Sequence, residues 1–336
     1  MEWDVLGHEW AAQLLAQHIA NHEARHAYLF SGAPGVGKRT LALRFAQALN
    51  CTQPPAPGQP CRTCRTCKAI EHGQHPDLSV VQSEQEGATL KVEQVRELQH
   101  VLSLSPYQAR YRVALLRRFQ EATASSQNAL LKTLEEAPEK VILLLTTDAV
   151  ENLLPTIASR CEVLRLRPLP VEQLSQALAT RWGQPQQQAR RLAHLAGGRV
   201  GMALRWIDDP ALLERRTGWL DDLQTLLAAP LRQRFAFADR ATKKGEKSAL
   251  LPEMLQTWLT FWRDVLLVCA GATEGPETPL TNLDREEQVR RLASRMDLAQ
   301  ATGLTAGLEE ALARLDANVN ARLLVEVLLL DWPKSN

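Results

Sequence analysis

The sequence contains no hydrophobic run that approaches the roughly 18 residues of a transmembrane helix. An excess of charge of one sign is also missing, because 39 Lys and Arg residues stand against 38 Asp and Glu residues. This balance argues against a protein that coats nucleic acid with a strongly basic surface. The opening residues, Met-Glu-Trp-Asp, are acidic where a secretory leader is basic and then apolar. We therefore expect a cytoplasmic protein that makes no membrane contact.

Cysteine is scarce and unevenly distributed. The 336 residues include six cysteines, and four of these lie within residues 51–67. Disulfides are rare in the cytoplasm, so such a cluster favours a metal site. Apolar residues make up 45% of the chain and charged residues 23%. This composition is sufficient for hydrophobic cores, and the length predicts two or three domains.

Apolar patterning divides the chain near residue 170. Before that point, short continuous apolar runs alternate with segments of helical spacing, which predicts parallel strands joined by helices. The predicted strands are 27–31, 78–81, 113–116 and 141–147, and the predicted helices are 40–50, 92–102 and one from Ser125 or Ser126 to Leu134. We therefore expect an α/β domain with helices on both faces of a parallel sheet.

No convincing strand follows residue 170. Residues 171–206 have helical spacing with a break at Gly197-Gly198, and residues 211–336 show helical patterns only. Near the end, apolar residues recur every three or four positions, which predicts one long helix with an apolar stripe facing a core. The stripe consists of Leu308, Leu312, Leu315, Val319, Leu323, Val327 and Leu330. The sequence leaves open whether partner helices complete that core.

A glycine-rich segment after the first predicted strand is typical of a phosphate-binding loop. It reads Gly32-Ala33-Pro34-Gly35-Val36-Gly37-Lys38-Arg39-Thr40. The glycines let backbone N–H groups converge on an anion, and Lys38 can reach the outer phosphates. The hydroxyl that binds Mg²⁺ must follow the lysine directly, but Arg39 holds that position. Thr40 comes one residue late, and one residue turns a helical side chain by about 100°.

The acidic half of such a site is also missing. A nucleotide-hydrolysing site needs acidic residues at the end of a later strand, where they hold Mg²⁺ and orient the attacking water. After the predicted strand 113–116, the sequence has Arg117 and Arg118. Because two cations repel Mg²⁺, we predict a nucleotide-binding fold that does not hydrolyse ATP. ATP binding without hydrolysis stays open.

The clustered cysteines have the spacing of a zinc site. Cys61, Cys64 and Cys67 are separated by two residues each, and Cys51 lies ten residues before the first of them. Zinc takes four thiolates tetrahedrally, and metal binding could supply the folding energy of a loop so poor in apolar residues. A redox pair is the alternative, but it would leave two cysteines without a role.

Four further segments resemble bacterial clamp-loader subunits of DNA polymerase III. They are His26-Ala27-Tyr28-Leu29-Phe30, Ser126-Gln127-Asn128-Ala129-Leu130-Leu131-Lys132-Thr133-Leu134-Glu135-Glu136, Ser159-Arg160-Cys161 and Asn318-Val319-Asn320-Ala321-Arg322-Leu323. The resemblance covers nearly the whole chain. Counted back from Asn128, the acidic pair of the hydrolysing gamma/tau subunits falls on Arg117 and Arg118. Their nucleotide-sensing arginine falls on Gly201. These departures resemble the non-hydrolysing delta-prime family.

The resemblance implies an architecture and a set of partners. Residues 1–168 would form an AAA+ P-loop domain with a zinc module at 51–67, residues 169–210 a small helical lid, and residues 211–336 a helical collar. Subunits of this family form hetero-pentamers with gamma/tau and delta subunits. These assemblies load the sliding clamp onto primed DNA.

The resemblance also implies a role for Arg160. The arginine of the Ser-Arg-Cys segment acts in trans in this family, as an arginine finger on the ATP of a neighbouring subunit. A surface arginine, or one that anchors the lid, is the alternative. Two other functions also stay open: a hydrolysing gamma/tau-type ATPase, and a zinc-ribbon protein that binds nucleic acid.

Overall fold

The computed structural model describes residues 3–84, 87–243, 249–273, 280–316 and 319–333. Its contacts divide the chain into two units. The first comprises Met1–Leu169 with Arg199–Met202, and the second comprises Pro170–Gly198 with Ala203–Asn336. Buried apolar clusters lie on both faces of a sheet in the first unit and between helices in the second.

A five-stranded sheet forms the centre of the first unit. Its strands are β1 (Ala27–Ser31), β2 (Leu78–Val81), β3 (Arg112–Leu116), β4 (Val141–Thr147) and β5 (Glu162–Arg165). All pairings are parallel, in the order β2-β3-β4-β1-β5. β1, β3 and β4 are continuous buried runs because helices cover both faces of the sheet. The carboxyl ends of these three neighbouring strands therefore meet at one edge.

Among the residues that the structure describes, six α-helices pack on this sheet. They are α1 (Glu9–Ala20), α2 (Lys38–Asn50), α3 (Arg65–Glu71), α4 (Val92–Leu102), α5 (Ala124–Glu135) and α6 (Pro155–Ala158). Successive strand residues point to opposite faces. Tyr28 and Phe30 accordingly share a core with α1, α2 and α3, whereas Ala27 and Leu29 share a core with α4, α5 and α6. The predicted α/β architecture is confirmed.

Two details of the first unit differ from the sequence prediction. β5 is not among the predicted strands, because only Val163 and Leu164 of its four residues are apolar. α5 begins at Ala124 instead of the predicted Ser125 or Ser126, because Thr123 caps it. The hydroxyl of Thr123 accepts a hydrogen bond of 3.0 Å from the N–H of Ser126.

All regular secondary structure that the structure describes in the second unit is helical. Its helices are α7 (Val171–Trp182), α8 (Gln186–Leu195), α9 (Val200–Asp208), α10 (Pro210–Ala228), α11 (Leu231–Thr242), α12 (Leu251–Cys269), α13 (Glu286–Ala293), α14 (Leu298–Asp316) and α15 (Ala321–Leu330). The first turn of α9 belongs to the first unit. On α12, Trp258 and Trp262 are fully buried and pack edge-on against Trp332. No helix in the described ranges is both long and apolar enough to span a membrane.

The predicted single long helix near the end of the chain is wrong. α14 ends at Asp316, and α15 begins at Ala321 with Asn320 as its cap. The reason is local, because the Asn320 side chain accepts hydrogen bonds from the first N–H groups of α15. The stripe also divides, since Leu308 is buried and Leu312 and Leu315 are partly buried, while its last four members are 45–56% exposed. The exposed members are Val319, Leu323, Val327 and Leu330. Asn318, which belongs to the family-like segment, lies outside the described residues.

A buried arginine joins two helix ends of the second unit. Arg234 on α11 is 1% exposed, and its guanidinium donates to six backbone carbonyls near the ends of α10 and α15. The carbonyls are those of Leu226, Leu227, Ala229, Leu329, Trp332 and Pro333. Carbonyls at a helix C-terminus carry partial negative charge, so they stabilise the buried cation.

Candidate functional site

The glycine-rich loop connects the end of β1 to the start of α2, at the carboxyl edge of the sheet. Gly32 and Gly37 have φ angles of 153° and 112°, which favour glycine. A Cβ on Gly32 would lie 2.4 Å from the carbonyl oxygen of Leu166. The path of the loop therefore requires glycine. The start of α2 beside it has the geometry of an anion site.

The lysine of this loop, Lys38, is bound by other groups of the same chain. The Lys38 Nζ lies 2.7 Å from Oδ1 of Asp148, the residue after β4, and also donates to the carbonyl of Gly32. The other carboxylate oxygen of Asp148 accepts a hydrogen bond of 2.9 Å from Gln120 Nε2. Only 10% of the Lys38 side chain is exposed. Lys38 thus joins the ends of β1 and β4, and a nucleotide phosphate would compete with Asp148 for it.

The two positions after Lys38 contribute no buried hydroxyl. Arg39 and Thr40 are both exposed in the first turn of α2. Lys38 is instead partly buried and directed to Asp148. The structure therefore places the Thr40 side chain at the surface and brings no hydroxyl from this helix start to the lysine.

Arg117 and Arg118 occupy the end of β3, beside β4. Arg118 has a φ of 48°, and its N–H donates to the hydroxyl of Thr146 at 2.9 Å. Its guanidinium pairs with Glu121 at 2.8 Å, while Arg117 donates to the side chain of Gln82 at 2.6 Å. Two guanidinium groups thus follow the strand that carries the carboxylates in a hydrolytic site.

The first turn of α9 lies directly on the glycine-rich loop. The N–H of Gly201 donates to the carbonyl of Gly35 at 2.8 Å. A Cβ at position 201 would lie 2.9 Å from that carbonyl oxygen, so the contact requires glycine there. From the sequence, Gly201 is predicted only as the place of a missing arginine. Neither this contact nor Asp148 could be predicted, since both depend on residues far apart in the chain.

The structure brings together the four predicted metal ligands. The Sγ atoms of Cys51, Cys61, Cys64 and Cys67 all lie within 4.8 Å of one another. The sulfurs of Cys61 and Cys67 are 4.0 Å apart, close to the edge of about 3.8 Å expected for a tetrahedron with Zn–S bonds of about 2.3 Å. Backbone N–H groups of Cys61, Cys64 and Cys67 donate to the sulfurs of Cys51, Cys61 and Cys64 at 3.3–3.4 Å. The cluster could hold a metal ion.

Hydrogen bonds favour the thiolate form of two cysteines in this cluster. Burial raises the pKa of Cys64, but donors from Thr52 and the N–H of Cys67 outweigh burial and bring the pKa to about 6. The same opposition, with the N–H of Cys64 as donor, lowers the pKa of Cys61. Burial raises the pKa of Cys51 and of Cys67. Because a bound cation favours thiolates, this donor set fits a soft divalent metal such as zinc.

Arg160 lies in the first unit, in the connection between α6 and β5. Its Nη2 is 2.7 Å from Oε1 of Glu135, and its Nη1 donates to the carbonyl of Thr156 at 3.0 Å. The side chain is 35% exposed. It lines a concavity of about 850 Å³ that also includes Arg25 and Glu162. The structure therefore holds Arg160 at an accessible surface, apart from the residues that contact Lys38.

Comparison with known proteins shows the family. A family model described as DNA polymerase III, delta subunit, matches residues 7–170. The delta' subunit of DNA polymerase III from Bacillus subtilis is 31% identical over 319 residues, which cover 95% of this chain and 94% of that subunit. The chain belongs to the delta' family of DNA polymerase III subunits. Its sheet, with a phosphate loop after β1, and its helical second unit agree with the predicted AAA+ P-loop domain followed by helical regions.

Other similarities are partial or distant. The tau/gamma subunit of DNA polymerase III from Haemophilus influenzae is 42% identical over 176 residues, which cover 52% of this chain and 25% of that subunit. The chain therefore spans only a quarter of the length of that relative. The solved structure of a gamma subunit-related protein from Thermotoga maritima aligns with a TM-score of 0.43 and 16% identity, covering 95% of this chain and 97% of that one.

Proposed function

We propose that this chain is a cytoplasmic clamp-loader subunit that does not hydrolyse ATP itself and assists hydrolysis by a neighbour. Membership of the delta' family supports its place in DNA polymerase III. The observation that carries the loss of hydrolysis is the pair of arginines after β3. In this proposal, the chain assembles with gamma/tau and delta subunits, and the assembly loads the sliding clamp onto primed DNA.

The charges around the glycine-rich loop support the loss of hydrolysis. A P-loop ATPase holds Mg²⁺ through a hydroxyl beside the lysine and an acidic residue at the end of another strand of the sheet. Here Arg117 and Arg118 bring positive charge to that strand end. The nearby carboxylates already have cationic partners, because Asp148 pairs with Lys38 and Glu121 pairs with Arg118. The site keeps the backbone of a phosphate loop without the groups that bind the metal.

The surroundings of Arg160 support a role in trans. Phosphoryl transfer places negative charge on the transferred group, and a guanidinium stabilises it through a planar set of donors. Glu135 and Thr156 hold two nitrogens of Arg160 at the rim of an open concavity. An ion pair with both partners this exposed is weak, so a phosphate could displace Glu135 at little cost.

The test compares the isolated chain with the reconstituted assembly. At saturating ATP and Mg²⁺, the isolated chain should release no phosphate above background, unlike a gamma/tau-type subunit measured beside it. In the assembly, Arg160→Ala should lower hydrolysis at the adjoining site by roughly 10³-fold and slow clamp loading. Arg25→Ala, which changes another arginine of the same concavity, is the matched control and should keep the wild-type rate.

Three results would contradict this function. Turnover by the isolated chain that Lys38→Ala abolishes would make it a gamma/tau-type ATPase. An Arg160→Ala assembly with wild-type hydrolysis and loading rates would remove the arginine finger. Salt-sensitive DNA binding by residues 51–67 would instead favour the zinc-ribbon alternative.

The exposed stripe of the second unit supports an assembly role. In this proposal residues 1–168 are the P-loop domain, residues 169–210 the lid and residues 211–336 the collar. Leu323 and Val327 lie four residues apart on α15, and each is about half exposed. Leu323→Ser should weaken assembly measured by co-purification, while Leu298→Ser, at an equally exposed leucine on α14, should not. Equal losses in both variants would refute this use of α15.

We further propose that the cysteine cluster binds zinc, with one ion held by Cys51, Cys61, Cys64 and Cys67. The convergence of the four sulfurs supports this assignment. Bound zinc would supply structural bonds to a loop that has little apolar surface of its own.

A further inference from the structure

The loop that carries the cysteines contacts the N-terminal segment, defined here as residues 3–8. The indole Nε1 of Trp3 donates to the carbonyl of Gly58 at 3.1 Å, and Trp3 is 4% exposed. Gly58 has a φ of 75°, and a Cβ there would lie 2.3 Å from the carbonyl oxygen of Ala16 on α1. The cysteine loop is therefore packed closely on this part of the first unit.

A second contact joins the same two segments. The Nη1 of Arg62 lies 2.9 Å from Oδ2 of Asp4. Arg62 stands between Cys61 and Cys64, so its backbone position depends directly on the cluster. Both residues are partly exposed, and such an ion pair contributes little by itself. The ion pair helps to orient the N-terminal segment, in which Trp3 is already buried.

The other end of the N-terminal segment reaches the phosphate loop. The Nε2 of His8 donates to the carbonyl of Val36 at 2.8 Å, and His8 is 2% exposed. The imidazole also lies 3.6 Å from the place that a Cβ on Gly37 would occupy. Between the two ends, Gly7 is packed against Leu169, because a Cβ on Gly7 would lie 2.5 Å from that side chain. The segment thus has fixed contacts along its length.

Trp3 provides a second connection between the N-terminal segment and the region of the phosphate loop. Its ring stacks on that of Phe45 on α2, with ring centroids 6.4 Å apart. α2 is the helix that begins at Lys38. The N-terminal segment therefore contacts both the cysteine loop and α2 through Trp3, and it contacts the phosphate loop through His8.

From these contacts we propose a function for the metal loop: the bound metal holds the N-terminal segment in place and, through His8, fixes the phosphate loop. This inference rests on the proposed zinc site. The segment from Cys51 to Cys64 has no helix or strand of its own, so its conformation depends on the ion that joins the sulfurs. Loss of the ion would release Gly58 and Arg62, and with them the two contacts of Trp3 and Asp4.

The test is hydrogen–deuterium exchange of the full chain, after zinc content has been measured. Removal of zinc by a chelator should speed amide exchange in residues 51–67, in residues 3–8 and in residues 33–38. Exchange in β3 and β4 should not change. Cys269→Ser, a cysteine outside the cluster, is the matched control for substitution of a thiol and should exchange like the wild type.

Trp3→Phe separates the coupling from metal binding. This variant keeps an aromatic ring on Phe45 but removes the indole donor to Gly58. It should retain zinc and a protected loop at 51–67, while exchange in residues 3–8 and 33–38 rises roughly fivefold, as expected for the loss of one hydrogen bond.

The outcomes distinguish failure of the coupling from failure of the zinc site. A chain that contains no metal overturns both. A zinc-loaded chain in which chelation speeds exchange only in residues 51–67 overturns the coupling and leaves the zinc site standing. Unchanged exchange at residues 33–38 in Trp3→Phe also overturns the coupling.

Discussion

The cysteine cluster and the phosphate loop differ in what they retain. The cluster has four sulfurs within 4.8 Å of one another, which is a full set of donors for a tetrahedral metal. The phosphate loop keeps its glycines and Lys38, but Arg117 and Arg118 follow β3, and Asp148 forms an ion pair with the lysine. The first site has four converging thiol groups, whereas the second has Arg39 directly after its lysine and arginines after β3.

This difference separates two uses of a binding motif. A loop can persist because it binds a ligand, or because its backbone path joins parts of a fold. The phosphate loop makes internal contacts through Lys38 with Asp148, Gly35 with Gly201 and Val36 with His8. These contacts give the loop a structural use that does not require ATP. We therefore expect substitutions in the cysteine cluster to abolish metal binding, whereas substitutions in the phosphate loop should change the stability of the first unit.

The largest effect is expected from Cys64→Ser. Removal of one of four thiolates should reduce bound zinc from about one per chain toward zero and unfold the loop at 51–67. Metal analysis of protein purified without added zinc measures the first effect. The sheet should survive with a lower melting temperature, because Ile70 on the following helix α3 is part of its core.

Cys269→Ser is the control for this prediction and should keep the metal. Cys269 lies on α12, outside the cluster. If Cys64→Ser retained a full complement of zinc, the cluster would not be the metal site, and the contrast between the two sites would fail.

The cluster and most strands could be predicted because their signals are local. Cysteine type and spacing are enough to indicate a four-thiolate metal site, and the four sulfurs do converge. The runs 27–31, 78–81 and 141–147 match β1, β2 and β4, since a strand buried on both faces is apolar throughout. β5 was missed because charged residues occupy both of its ends. The single long helix was wrong because Asn320 caps α15 within an otherwise unbroken apolar period.

A smaller effect is expected from Gly201→Ala. The new Cβ would lie 2.9 Å from the carbonyl oxygen of Gly35, and overpacking against a backbone atom costs about 1–3 kcal/mol. Better helix propensity offsets about 1 kcal/mol of this cost. We expect a net loss of about 1 kcal/mol in the free energy of unfolding of the first unit, measured by denaturant titration.

Gly303→Ala on α14 is the matched control of opposite sign. A Cβ there meets no atom within 4 Å, so the substitution should stabilise its helix by up to about 1 kcal/mol. Stabilisation in Gly201→Ala as well would show that α9 does not depend on its contact with the loop.

The contacts of the phosphate loop could not be predicted because they are tertiary. Asp148 follows β4, 110 positions from Lys38 in the chain, and nothing in the local pattern pairs the two. The sequence shows that no hydroxyl residue directly follows Lys38 and that arginines stand where carboxylates are expected after β3. Only the parallel pairing of β1 with β4 shows which residue forms an ion pair with Lys38.

The smallest effect is expected from Lys38→Met. Methionine has an unbranched side chain of similar length, but it loses the ion pair with Asp148 and the hydrogen bond to the carbonyl of Gly32. Because the Asp148 side chain is 36% exposed, solvent screens the ion pair and its loss costs at most about 1 kcal/mol. Asp148→Asn should cost a similar amount. If the pair acts as one structural unit, the double variant should lose less than the sum of the two single losses in denaturant titration, because each single variant already removes the shared interaction. Fully additive losses would show that the two side chains do not support each other. The phosphate loop would then lack the internal partner that distinguishes it from the cysteine cluster.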